Sequence, residues 1–198
     1  MFEIGQLSSL TWDSAAWIYS VIIGVVLARY FTFIANLLQE PKAIKFYYPY
    51  LAVLLATIFN LYLSWYTGKQ AYTLLEGKPF VFAVRSFFDV TLCISGLIII
   101  PQDKLLEGFF DMKSWFMKIK KAYFFILILY FLVLEIYSVL AFIYWSEMIT
   151  TENLIGVSVF VVILSLLNVA SAFTKNDYYL SFHGTLMLVG TSYQLSTL

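Results

Sequence analysis

Long apolar runs separated by short polar breaks set the pattern of this chain. A helix needs about 20 predominantly apolar residues to cross about 30 Å of hydrocarbon. Residues 14–37, 47–67, 79–101, 122–146 and 153–173 meet that standard. A sixth segment, 179–198, is long enough but is diluted by His183, Gly184, Thr185, Gly190, Thr191, Ser192 and Gln194. The pattern predicts an all-α, polytopic transmembrane bundle of six spans, with five as the alternative. The sixth should face other helices, because its hydroxyls and amide need partners. Pro41, Gly68, Pro79 and Pro101 fall at the predicted boundaries, where residues that break helices belong. Aromatic residues gather near the expected interfaces, among them Trp12, Trp17, Tyr47, Tyr50, Trp65, Trp145 and Tyr178,. No repeat, linker or composition shift divides the chain, so 1–198 reads as a single membrane domain. Nor is there a matching pair of broken helices of the kind that marks inverted-repeat transporters.

Composition makes lipid the solvent. Of 198 residues, 62% are hydrophobic, 20% aromatic and only 12% charged, with a mean hydropathy of +0.85. A soluble domain carries about 25% charged residues, and a chain this apolar cannot cover its surface with polar groups. Formal net charge is zero, which gives no case for direct nucleic-acid binding. The distribution of charge says more. Placing the first, third and fifth connections inside puts Lys42, Lys45, Lys104, Lys113, Lys118, Lys120, Lys121 and Lys175 there, against Lys69 and Lys78 outside. The positive-inside rule then predicts an external N-terminus. The first apolar run is longer than a signal-peptide core and no Lys or Arg precedes it, so the first helix reads as retained,.

Three constellations stand out. Ala16, Ser20, Gly24 and Ala28 form a small-residue ladder on the first helix, and Ala52, Ala56, Asn60 and Ser64 repeat the spacing on the second. Such ladders let helices approach closely, within one subunit or between copies in a homo-oligomer. Arg85, Asp89 and Glu135 are ionisable groups at membrane depth. An unpaired charge at the bilayer centre costs at least ~2.5–3.5 kcal/mol. Glu135 is therefore expected to be protonated, paired with Arg85, or facing a wet cavity. One reading makes these three an ion- or proton-handling site with Asn60, Asn168 and His183 as lining; the other makes them a salt bridge that fixes helix packing. The stretch 103–121 reads as an amphipathic cytoplasmic connection, with Lys113, Trp115, Lys118, Lys120 and Lys121 meeting the membrane surface or a soluble partner,.

Several chemistries are set aside. One histidine cannot supply a zinc-protease motif, and one cysteine, Cys93, cannot build a metal cluster or an internal disulfide,. No phosphate-binding glycine loop occurs. The chain is expected to be no enzyme and to need no metal or cofactor.

The run Ser20 to Arg29, the close of the third segment from Leu97 to Pro101, and the stretch Asp111 to Phe125 resemble a broad set of small, uncharacterised bacterial multi-helix inner-membrane proteins. The resemblance implies an inner-membrane location and no assigned activity. The abundance of Phe, Tyr, Ile and Lys fits an AT-rich gene of the kind found among phage-defence components. Two functions follow as expectations: an oligomeric channel or effector subunit that conducts or senses ions or protons, or a non-conducting scaffold that recruits a soluble cytosolic partner.

Overall fold

A computed structural model describes residues 4–39, 44–75, 78–101, 110–145 and 150–196. It contains six helices: α1 (Ile4–Gln39), α2 (Tyr48–Leu74), α3 (Pro79–Ile99), α4 (Met112–Tyr144), α5 (Thr151–Phe173) and α6 (Asp177–Ser196). Two short strands, β1 (Ile44–Lys45) and β2 (Phe110–Asp111), pair in parallel. The all-α class is as expected. Five helices are long and apolar enough to cross a membrane, namely α1 to α5, through Trp17–Gln39, Tyr48–Thr67, Pro79–Ile99, Met112–Tyr144 and Thr151–Phe173. Only 17% of the most apolar stretch of α4, and likewise of α5, is buried within the chain. Helices apolar all round with so little cover need a hydrocarbon environment.

Tyr19, Ile23, Val26, Tyr30, Phe33 and Leu37 are the buried face of α1, spaced alternately four and three residues apart as helix-on-helix packing requires. Ser20, Gly24 and Ala28 lie on the exposed side, and a Cβ built on Gly24 would meet nothing within 4 Å. The ladder is thus not used for packing within the described chain; Ala16 lies outside the described side chains. On α2 the outcome is the reverse. Ala52, Ala56 and Ser64 are buried and Asn60 is half-buried.

Gly184 of α6 sits against α2 so closely that a Cβ there would lie 3.1 Å from the Ala52 Cβ and 3.3 Å from the Pro49 carbonyl oxygen. Backbone cannot retreat as a side chain can. Gly184→Leu should therefore lower stability by ~1–3 kcal/mol through overpacking. Gly190→Leu on the same helix, where a Cβ meets nothing within 4 Å, should leave the thermal midpoint in detergent unchanged.

Successive helices run in opposite directions, and one end of the bundle collects charge. Lys45 pairs with Asp111 at 3.1 Å. Asp111 also caps α4, accepting from the backbone N–H groups of Lys113 at 2.9 Å and Ser114 at 3.1 Å. Lys113 pairs with Asp177, which accepts from the Tyr47 hydroxyl at 2.8 Å. At the other end the Lys78 ammonium lies 3.7 Å from the Trp145 ring centre.

The Ser114 amide, with Lys45 adding, holds Asp111 below the usual carboxylate range; Lys113, with Tyr47 adding, does the same for Asp177. A carboxylate with a depressed folded pKa contributes stability above its unfolded pKa and loses it as pH falls through the folded one. Acidification below about pH 4 should therefore lower the thermal midpoint. Asp111→Asn/Asp177→Asn should flatten that acid limb in melts recorded against pH.

Three boundaries differ from the sequence reading. α2 runs on through Gly68 to Leu74, because one glycine costs a helix only ~1 kcal/mol. Residues 112–121 are not a separate interfacial element but the first turns of α4; 102–109 lie outside the described residues. α1 begins at Ile4, ten residues before its apolar run.

Candidate functional site

The three ionisable groups read from the sequence as one cluster occupy two places. Arg85 and Asp89 pair within α3 at 3.1 Å, with Asp89 fully buried and Arg85 8% exposed. The Ser64 hydroxyl of α2 donates to Asp89 at 2.7 Å and lies 2.8 Å from the Tyr19 hydroxyl of α1. Ser64 has one proton, and it goes to Asp89, so Tyr19 is the donor to Ser64. Arg85 also reaches Ser64 at 3.5 Å, and its guanidinium lies 4.9 Å from the Phe88 ring and 5.8 Å from the Tyr137 ring. The pair is sealed, hydrogen-bonded and ties α1, α2 and α3 together.

Glu135 turns the other way. Tyr130 and Tyr137 on α4 face α3, Tyr130 stacking on Phe88 at 4.3 Å and Tyr137 approaching Arg85. A residue two positions before Tyr137 points to the opposite side of the helix. Glu135 therefore meets α5, where its Oε1 accepts from the Ser158 hydroxyl at 2.5 Å. The expected alternative of a Glu135–Arg85 pair is not what the helix geometry allows.

Glu135 heads a polar file along α5. Ser158, Ser165 and Asn168 fall within one side of that helix, and Ser171 continues it towards α6,. The Ser171 hydroxyl lies 2.5 Å from Nδ1 of His183, whose ring stacks on Phe124 at 5.5 Å. From Ser158 to Ser171 the file covers about 20 Å by the rise of an α-helix. Five buried side-chain polar atoms lack a hydrogen-bond partner among the described residues, and four of them lie here: Glu135 Oε2, Ser165 Oγ, Asn168 Oδ1 and His183 Nε2. Asn168 and His183 are each only 1% exposed. Unpaired polar atoms at that burial each cost about 1–3 kcal/mol, so they belong where something else uses them. Asn60, the third lining residue expected, stands apart on α2 and donates to the Ala56 carbonyl at 2.9 Å.

The file ends at Lys120, whose expected role is corrected. Rather than meeting the membrane surface or a partner, Lys120 is 5% exposed and donates to the carbonyl oxygens of Ser171, at 3.3 Å, and Thr174. It caps the C-terminus of α5, where a cation complements the helix dipole. Trp115 is also turned inward, its indole N–H donating to the Ile99 carbonyl at 3.1 Å. Lys113 is taken up by Asp177. That leaves Lys118 and Lys121 as the exposed members of the set. Ser158, Ser165 and Ser171 were missed in the sequence. Their spacing along one side of an apolar helix was the signal available.

Comparison with known proteins finds no matching family model, no matching curated protein and no matching solved structure.

Proposed function

We propose that this chain is a multi-pass membrane protein that moves protons along the seam of α4, α5 and α6, with α6 as the sixth span. The observation that carries the reading is the run of four unpaired polar atoms from Glu135 to His183. Carboxylate, hydroxyl and imidazole groups all donate and accept protons, and Asn168 can orient an intervening water without titrating. Intramembrane ionisable groups that face a helix seam mark such pathways more often than passive packing. The Arg85–Asp89 pair stands outside the pathway as a structural tie.

The odd-numbered connections carry most of the lysines in the sequence, and their described residues meet at one end of the bundle through Lys45–Asp111, Lys113–Asp177 and Tyr47–Asp177. We assign that end to the cytoplasm, with the N-terminus outside and a bacterial inner membrane as the setting. A homo-oligomer is the proposed assembly, since α1 around the exposed Ser20 and Gly24 leaves room for another helix,. Purified protein in liposomes under an imposed pH gradient tests the reading. Proton flux above that of protein-free vesicles is expected, and none in either direction would remove it.

A further inference from the structure

A cavity of about 300 Å³ opens on the outside of the bundle between α1 and the end of α3. Val25, Ala28, Arg29 and Thr32 form one wall, and Ile100 and Pro101 the other. Its depth follows from the helix ends. α3 stops at Ile99, whose carbonyl accepts from the Tyr50 hydroxyl in the first turns of α2 at 3.0 Å. Arg29 shares the cavity with Ile100 and Pro101, so it lies level with the end of α3, whose 21 residues just cross the hydrocarbon, while α1 runs on past that level to Gln39,. Val25, one turn away towards the bilayer centre, is 58% exposed and lies at acyl-chain depth. The Thr32 hydroxyl donates to the Ala28 carbonyl at 3.0 Å, so Arg29 is the donor left facing the cavity.

The buried side of α1 is carried by Tyr30 and Phe33, which leaves Arg29 exposed, and it forms no ion pair among the described residues. The five N–H donors of a guanidinium match a phosphate bidentately. A cation at headgroup depth beside an apolar groove is complementary to a phosphodiester carried on an acyl chain.

We propose that this cavity holds one anionic phospholipid, its phosphate on Arg29 and an acyl chain along Ala28 and Val25. The cavity is lined by α1 and the end of α3 and by no residue of the α4–α5–α6 seam, so it stands or falls independently of proton movement. Native mass spectrometry of the detergent-purified full chain, titrated with phosphatidylglycerol or phosphatidylcholine, is the test. Wild type should retain one phosphatidylglycerol with a severalfold preference: both lipids offer a phosphodiester to Arg29, but the choline cation of phosphatidylcholine cancels its charge and is repelled by the guanidinium. Arg29→Gln should bring the two lipids to parity, and Ala28→Phe, which fills the apolar wall, should weaken both. Both positions are exposed, so an unchanged thermal midpoint will show that the fold is kept. Equal retention of the two lipids by wild type, or an undiminished preference in Arg29→Gln, would overturn the proposal. So would displacement of the lipid by excess inorganic phosphate, which would mark a site for free anions.

Discussion

Asp89→Ala should destabilise the protein by ~3–5 kcal/mol, the scale for removing one partner of a buried ion pair. Asp89 is fully buried and holds both Arg85 and Ser64. Its loss leaves the buried guanidinium without a carboxylate among the described residues, beside Ser64 and the Phe88 and Tyr137 rings. The double variant Arg85→Met/Asp89→Leu removes both charges and should recover most of that loss, because an apolar pair of similar volume needs no compensation at this depth. Yield in membranes and thermal unfolding in detergent give the readout. Because the pair lies off the proposed pathway, the double variant should still conduct. A double variant that folds but carries no flux would return Arg85 and Asp89 to the functional site.

The spans were legible because their signal is length and apolarity, which lipid demands of any crossing helix. Which face of each helix turns inward was much less so. In water the interior is the apolar face; in a bilayer both faces are apolar, and periodicity loses its meaning. On α1 the small-residue ladder looked like the packing face, yet the larger Tyr19, Tyr30 and Phe33 make it instead, their size filling the gap to α2 and α3. Tyr19 and Tyr30 gave little warning, being aromatic residues within an apolar run.

The same reasoning explains the divided site. Arg85 and Asp89, four apart on one helix, could be paired from spacing alone. The direction of Glu135 depended on which side of α4 the rings of Tyr130 and Tyr137 would take, and that is set by packing against Phe88. Lys120 was harder still. Its acceptors lie at the end of another helix, 51 and 54 residues away. Within its own stretch it is one lysine among several, and nothing local distinguishes the buried one from the exposed Lys118 and Lys121.

Glu135→Gln should cut proton flux at least tenfold while leaving the protein folded and in the membrane. The amide matches the carboxylate in shape and keeps an oxygen to accept from Ser158, so packing between α4 and α5 survives. What is lost is the carboxyl that, with the His183 imidazole, gives the file its proton-carrying side chains. Glu135→Leu is a harsher comparison, because it also leaves the Ser158 hydroxyl without its partner. If Gln and Leu abolish flux alike while the thermal midpoint falls only for Leu, the role of Glu135 is chemical rather than structural. A Gln variant that conducts like wild type would remove Glu135 from the pathway. His183→Asn is the matching test at the other end of the file, where the ring's Nε2 has no partner and its Nδ1 is held by Ser171. Loss of flux in both single variants, with no further loss in the double, is the result expected when the two ends belong to one continuous path.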